Sequence, residues 1–165
     1  MGTGGVFLRR LRAKVSDRPT GFVWVEDLKL AGSGYPSSRG QLEWLAAQGI
    51  NSILTLTPDP LPTEWTKGLS LDLGHVPMRD HTPPDLQSLE EAATYVRGHL
   101  REGKVVDVHC LAGQGRTGCV LASYLISQKH MKAEEALATL RKIKPQFVET
   151  GQEKSIYDYA NALKL

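Results

Sequence analysis

Short apolar runs alternate along the chain with longer stretches in which apolar residues recur every three or four positions. The short runs predict strands at residues 22–25, 28–32, 50–57, 71–77 and 104–109. The longer stretches predict helices at residues 38–48, 85–100, 117–126, 133–143 and 150–163. This alternation predicts one α/β domain, with a twisted, mostly parallel central sheet of four or five strands flanked by helices.

Polar residues at the helix ends predict where several helices begin. Ser38 with Gln41, and Thr150 with Glu153, have the spacing of a capping box. Asp85 directly follows two prolines, which disfavour helix in the residues before them. It is therefore predicted to begin the next helix, so its carboxylate has a structural reason to be there.

Residues 1–20 form a separate region, because the domain pattern covers only residues 21–165. Phe7, Leu11 and Val15 share one helical stripe with arginines beside it. This pattern predicts a short helix that caps the domain or a basic arm in solvent. An arm that docks on an anionic membrane or a phosphoprotein is the alternative.

Composition narrows the function classes. The chain has 165 residues, 41% of them hydrophobic, and a formal net charge of +2, which is too small to predict nucleic-acid binding. No apolar run is long enough for a membrane span or a signal peptide. Two cysteines cannot form a disulfide framework, so we expect a cytoplasmic protein. We also expect a monomer.

The most informative segment connects the predicted strand at 104–109 to the apolar helix after it. Its glycine-rich loop begins at Cys110 and ends at Arg116. Such a loop can turn backbone N–H groups inward at a helix N-terminus, where the helix dipole favours an anion. The same field stabilises a cysteine thiolate, and a guanidinium can hold two phosphate oxygens. The loop therefore combines a nucleophile with a phosphate site.

Two motifs resemble the cysteine-dependent protein tyrosine phosphatases, most closely the small dual-specificity-type enzymes that include compact archaeal members. His109-Cys110, five residues and Arg116-Thr117 resemble their phosphate-binding signature. Pro77-Met78-Arg79-Asp80-His81-Thr82-Pro83-Pro84, about thirty residues upstream, resembles their general-acid loop. The resemblance extends from about Phe22 to the C-terminus.

The resemblance implies roles for individual residues. Cys110 would be the nucleophile, Arg116 the phosphate clamp and Asp80 the general acid. Thr117 would stabilise the departing thiolate, and His109 would fix the loop by hydrogen bonds. The residues that would surround the phosphoryl group are Leu111, Ala112, Gly113, Gln114 and Gly115.

Several of these residues also have structural interpretations. Thr117 is a candidate helix N-cap, and Cys119 is interpreted as a packing residue rather than a redox partner. Glu149 or Gln152 would orient the hydrolytic water, although helix capping also explains both. The histidines do not cluster in sequence as metal ligands, so we predict no metal and no cofactor.

These observations predict hydrolysis of phosphotyrosine, with phosphoserine and phosphothreonine as further substrates, through a phospho-cysteine intermediate. Phosphorylated proteins would be the partners. A phosphoinositide or small phosphomonoester phosphatase is one alternative, disfavoured because the variable loop positions Leu111, Ala112 and Gln114 carry no cation. A phosphopeptide-binding module is the other, and the presence of every expected catalytic residue argues against it.

Overall fold

The computed structural model describes residues 17–164, so the helix predicted around Phe7, Leu11 and Val15 lies outside the described part. The strands are β1 (Val23–Glu26), β2 (Leu30–Ser33), β3 (Ser52–Thr55), β4 (Asp72–His75) and β5 (Val106–His109). The helices are α1 (Arg39–Ala47), α2 (Thr63–Thr66), α3 (Leu86–Arg101), α4 (Gly115–Lys129), α5 (Ala133–Ile143) and α6 (Glu153–Ala162). A 3₁₀ turn at Thr150–Gln152 precedes α6.

The five strands form one sheet in the order β1-β2-β5-β3-β4. Only β1 is antiparallel to its neighbour, so the predicted mostly parallel α/β sheet is confirmed. His109, the last residue of β5, is in register with Ser33 on β2 and Thr55 on β3. The carboxyl ends of three central strands therefore meet at the residue before Cys110, which is where α/β sheets place ligands.

Helix α4 lies in the middle of the larger of two hydrophobic clusters. Every residue from Gly115 to Ile126 is buried, and Val106 and Val108 face this cluster from β5. On the other side of the sheet, a smaller cluster includes Phe22, Leu45 and Ile53. Burial on nearly all sides fixes α4, and this holds its N-terminus at the end of β5.

The N-caps predicted for two helices are confirmed. The Asp85 side chain accepts a hydrogen bond from the backbone N–H of Ser88 at 2.8 Å and caps α3. Ser38 likewise accepts from Gln41 N at 3.3 Å and caps α1. The Gln41 side chain, however, bonds Ser37 N rather than Ser38 N, so this capping box is offset by one residue.

Two other helix starts differ from prediction. Helix α4 begins at Gly115 rather than Thr117, because the Gln114 carbonyl already accepts from Gly118 N at 2.9 Å. Thr117 is therefore not an N-cap. The C-terminal capping box consists of Glu149 and Gln152, one residue before the predicted pair, because the 3₁₀ turn precedes α6. None of the helices in residues 17–164 is long and apolar enough to cross a membrane.

Candidate active site

The loop from Cys110 to Arg116, called the phosphate loop here, connects β5 directly to α4. Its backbone N–H groups from Leu111 to Arg116 donate to no acceptor within the described part of the chain. The loop turns at its start, where the Leu111 carbonyl accepts from Tyr35 N at 3.0 Å. Free N–H groups at the N-terminus of a buried helix provide an anion site.

Gly113 allows the loop to pass close to the neighbouring strand. Its φ is +69°, and a Cβ there would lie 2.4 Å from the carbonyl carbon of Ser33. The Gly113 carbonyl accepts from Lys144 Nζ at 2.8 Å, and the same ammonium donates to the Gly21 carbonyl at 3.1 Å. Burial lowers the pKa of Lys144. Lys144 was not identified from the sequence, because it lies outside any motif, after the end of α5.

The segment before α6 packs against the start of α4. Val148 N donates to the Gln114 carbonyl at 3.2 Å. A Cβ on Gly115 would lie 2.5 Å from Gln152 Oε1 and 3.1 Å from Glu149 Oε1. The two residues predicted to orient water therefore lie beside the phosphate loop, although their spacing in sequence gave no sign of this contact.

The nucleophile predicted from the sequence is paired with Thr117. Cys110 is only 2% exposed, and Thr117 Oγ1 donates to its Sγ at 3.1 Å. A hydroxyl in this position stabilises negative charge on the sulfur, as the resemblance implies. Cys119 is fully buried, and burial raises the pKa of its thiol. Cys119 thus packs in the core as a neutral thiol.

His109 supports the loop from the last position of β5. Its Nε2 lies 2.8 Å from Thr55 Oγ1, and its ring meets the edge of Tyr35 at 5.6 Å. Burial lowers the pKa of His109 to about 4, so the ring is neutral near pH 7 and fits the predicted positioning role. Two residues earlier, burial raises the pKa of Asp107 to about 7, and Ser33 Oγ donates to it at 2.8 Å. Asp107 was not singled out from the sequence, because it lies within an apolar run that predicts a buried strand.

The Arg116 guanidinium is buried against the segment that follows β4. Its Nη1 donates to the Met78 carbonyl at 3.2 Å, and its Nη2 lies 3.2 Å from Asp80 Oδ2. Its Nε is buried without a partner among the described residues. A buried cation with a spare donor at the end of an anion-binding loop fits the predicted phosphate clamp.

Residues 78–85, called the acid loop here, bring Asp80 to the phosphate loop. The Asp80 side chain is 38% exposed and contacts Arg116. The Asp85 side chain instead accepts a hydrogen bond from the Ser88 N–H at the start of α3. That contact lowers the pKa of Asp85. Asp80 and Asp85 flank the two prolines and are both candidates for the acid from the sequence, and the geometry favours Asp80.

Comparison with known proteins identifies the family of the chain. The family model for the Swiss Army Knife protein, DSP-PTPase phosphatase domain, matches residues 19–157. The chain belongs to the cysteine-dependent protein tyrosine phosphatases. It is a small, atypical member of their dual-specificity branch.

Its relatives include enzymes with different substrates. Phosphatidylglycerophosphate phosphatase PTPMT1 of Arabidopsis thaliana is 26% identical over 136 residues, which cover 81% of this chain and 40% of that protein. Human dual specificity protein phosphatase 9 is 31% identical over 137 residues, covering 80% of this chain and 35% of that protein. The chain thus spans less than half the length of either relative.

Solved structures share the phosphatase fold. Tk-PTP in its active form has a TM-score of 0.76 and 25% identity, covering 86% of this chain and 96% of that one. PTPMT1 in complex with PI(5)P has a TM-score of 0.75, covering 87% of this chain and 96% of that one. At 18% identity, the second likeness shows the fold alone.

A cleft of about 340 Å³ opens between the phosphate loop and the acid loop of this phosphatase. Its lining residues are Tyr35, Thr57, Pro58, Asp59, Asp80, Leu111 and Arg116. Leu111 is 62% exposed and forms part of the mouth. Arg116 is the only cation among these lining residues, and two of the others are carboxylates.

The outer side of the acid loop carries a group that the sequence did not predict. Potential ligand atoms of Asp80, His81 and Glu149 lie within 4.8 Å of one another. This group joins one histidine to two carboxylates from distant segments, so it is not visible as a cluster of histidines in the sequence. Exposed groups of this kind are common without a metal.

Proposed function

We propose that the chain hydrolyses phosphotyrosine in proteins, with phosphoserine and phosphothreonine as further substrates. The observation that carries this proposal is the charge of the cleft. Arg116 is the only cation among its described lining residues, and Asp59 contributes a carboxylate to the same lining. One cation beside the N–H groups of the loop suits a single phosphoryl group, whereas an additional phosphate would meet Asp59 and be repelled.

The side walls of the cleft suit an aromatic leaving group. Tyr35, Pro58 and Leu111 present ring and aliphatic surface above Arg116. Aromatic rings gain from burial against such surface, and two rings add a geometric preference. A tyrosyl ring would thus be held by the walls while its phosphate reaches Cys110.

In the first step, the Cys110 thiolate attacks phosphorus and the bond to the leaving oxygen breaks. The loop N–H groups and Arg116 stabilise the equatorial oxygens. Asp80 gives its proton to the leaving oxygen, so the alcohol departs neutral. The phosphoryl group must replace the Asp80 carboxylate on Arg116, which frees Asp80 to face the leaving group.

In the second step, water attacks the phospho-cysteine. The Asp80 carboxylate takes a proton from that water, and the bond between sulfur and phosphorus breaks to release phosphate. Thr117 Oγ1, 3.1 Å from Sγ, stabilises the departing thiolate. Gln152 and Glu149 lie beside Gly115, where we propose that they orient the water.

The rival proposal is a lipid phosphomonoesterase, and the similarity to a phosphatidylglycerophosphate phosphatase favours it. The test compares kcat/KM for a phosphotyrosine peptide panel with that for phosphatidylglycerophosphate and PI(5)P in vesicles. All assays contain EDTA, and Cys110→Ser serves as the inactive control. We expect turnover of phosphotyrosine peptides to exceed that of both lipids.

Each of the other outcomes would overturn a different part of the proposal. Preference for either lipid would overturn the protein-phosphatase proposal while keeping the phospho-cysteine chemistry. Binding of phosphopeptides without turnover would favour the phosphopeptide-binding module. Equal activity of Cys110→Ser would exclude covalent catalysis.

A further inference from the structure

Three hydrogen bonds connect the acid loop to the segment that begins at Glu149. Gln152 Nε2 donates to the Thr82 carbonyl at 3.2 Å, and Ser155 Oγ donates to the Pro84 carbonyl at 2.8 Å. The third joins the side chains of His81 and Glu149, from Nδ1 to Oε2 at 3.1 Å. Only the third involves the residue adjacent to Asp80, so it is the contact best placed to orient the acid.

The backbone of His81 is turned to make this contact. Its φ is +55°, a left-handed conformation that is uncommon outside glycine although histidine tolerates it better than most residues. In this conformation its N–H donates to Asp80 Oδ1 at 3.0 Å, and its Nε2 lies 3.4 Å from Asp80 Oδ2. The imidazole therefore lies between two carboxylates, Asp80 and Glu149.

We propose that His81 is a positioning residue for the general acid, linking Asp80 to Glu149 while the substrate phosphate occupies Arg116. The proposal rests on the proposed function, in which Asp80 protonates the leaving group. In the free enzyme Arg116 contacts Asp80 directly. Because a bound phosphoryl group takes over the guanidinium, the contacts from His81 are the ones that remain to direct the carboxyl group.

The charges around His81 support the link. Asp80 from its own loop, Glu149 from the segment before α6 and Arg116 from α4 are the charged groups that face it. The hydrogen bond to Glu149, with smaller effects of Asp80 and Glu149 charge, raises the pKa of His81 above its ordinary value. The imidazolium form is thus present at and below the ordinary pKa of histidine, and the link weakens as pH rises through the raised pKa.

The test uses two substrates that differ in their need for a proton. Phenyl phosphate has a poor leaving group, whereas the leaving group of p-nitrophenyl phosphate departs with little help. Variants His81→Gly and His81→Asn keep access to the left-handed backbone but remove the imidazole. We expect kcat/KM for phenyl phosphate to fall about threefold to fivefold, and that for p-nitrophenyl phosphate less than twofold, since an exposed pair contributes modestly.

His130 offers a matched control. It ends α4 with a φ of +56°, at the opposite end of the helix from Arg116, and it is exposed. His130→Gly makes the same change in the same backbone conformation away from the cleft. It should leave the ratio of kcat/KM for the two substrates unchanged, and a shift as large as that of His81→Gly would overturn the specific link.

Glu149→Gln separates this role from water orientation. Loss of the link lowers kcat/KM for phenyl phosphate, because this parameter reports the steps up to release of the alcohol. Loss of water orientation instead lowers kcat and makes phospho-cysteine accumulate as a burst of alcohol release, with kcat/KM unchanged. A burst alone in Glu149→Gln, together with unchanged substrate ratios in the His81 variants, would overturn the proposal.

Salt provides a second readout on the wild type. An exposed pair of charges is screened by salt. The ratio of kcat/KM for phenyl to p-nitrophenyl phosphate should fall with ionic strength in the wild type and stay nearly constant in His81→Asn. Equal salt dependence in both would contradict the link.

All assays contain EDTA, so a metal held by Asp80, His81 and Glu149 cannot produce the effect. Failure of the acid role that the proposed function gives to Asp80 looks different, since Asp80→Asn would then leave both substrates unaffected, whereas a preference for lipid substrates would leave the His81 effect intact.

Discussion

The phosphate loop and the acid loop meet at Arg116, but different forces hold them in place. The phosphate loop is built from consecutive residues between β5 and the buried helix α4, and Cys110 is 2% exposed. The acid loop lies at the surface, where His81 is 74% exposed, and side chains some 70 residues away along the chain hold it.

This difference fits the roles that we propose for the two loops. Stabilising charge on a phosphoryl group requires donors fixed before the reaction, and a loop on a buried helix supplies them without reorganisation. Transferring a proton requires Asp80 to leave Arg116 and reach the leaving oxygen, and a surface loop permits that movement. The comparison predicts large, substrate-independent losses in the phosphate loop and losses that depend on the leaving group in the acid loop.

The largest effect is expected at the nucleophile. Cys110→Ser should abolish turnover of every substrate, because a hydroxyl is a poor nucleophile here. Binding of vanadate or tungstate should persist, because the loop N–H groups and Arg116 remain. Iodoacetate should inactivate the wild type, with phosphate protecting. Substantial activity in the serine variant would exclude the covalent mechanism.

Arg116→Lys should come next, with kcat/KM reduced by roughly 10³–10⁵-fold, the range for an arginine that stabilises a transferring phosphoryl group. An ammonium cannot reproduce the planar two-point contact with phosphate oxygens, nor can it bond Met78 and Asp80 as the guanidinium does. The reduction in kcat/KM should be equal for phenyl phosphate and p-nitrophenyl phosphate. Thermal unfolding serves as the control, and activity within a few-fold of wild type would limit Arg116 to folding.

Asp80→Asn should produce the leaving-group dependence expected of the acid loop. The loss for tyrosyl or alkyl phosphates should be roughly 10²–10⁴-fold, the usual contribution of a general acid. It should be much smaller for p-nitrophenyl phosphate, and the alkaline limb of the pH–rate profile should disappear. Equal losses for all substrates would make Asp80 part of the phosphate site instead.

The same contrast explains what could be predicted from the sequence. The phosphate loop was predicted residue by residue, because Cys110, the glycines and Arg116 are contiguous and a strand–loop–helix connection determines their placement. The five strands and α5 were predicted for the same reason, since apolar periodicity is local. Helix α4 starts at Gly115, two residues before the predicted start at Thr117, because Gln114 caps an additional part of the first turn.

Contacts between distant segments could not be predicted this way. The hydrogen bond from Lys144 to Gly113 joins residues 31 positions apart, and that between His81 and Glu149 joins residues 68 positions apart. Neither pair forms a local sequence pattern. From the sequence, helix capping was a sufficient explanation for Glu149 and Gln152, and these two residues do form a capping box. Asp107 was overlooked because a buried carboxyl interrupts an otherwise apolar strand without altering its period.

The smallest effect is expected at the other end of the acid loop. Asp85→Ala should lower the free energy of unfolding by about 1 kcal/mol, the usual contribution of an N-cap, because the Ser88 N–H loses its acceptor. Asp85→Asn should lose much less, since asparagine also caps. Neither variant should change the alkaline limb of the pH–rate profile.

The pH dependence of that loss has a definite sign. The Ser88 N–H lowers the pKa of Asp85 in the folded protein. The charged cap therefore stabilises the fold above the ordinary pKa of aspartate, and this contribution is lost as pH falls through the lowered pKa. Urea unfolding should thus show the largest difference between wild type and Asp85→Ala near neutral pH and a smaller one in acid. If Asp85→Asn instead removed the alkaline limb, the general acid would be Asp85, and the role given to Asp80 and His81 would be wrong.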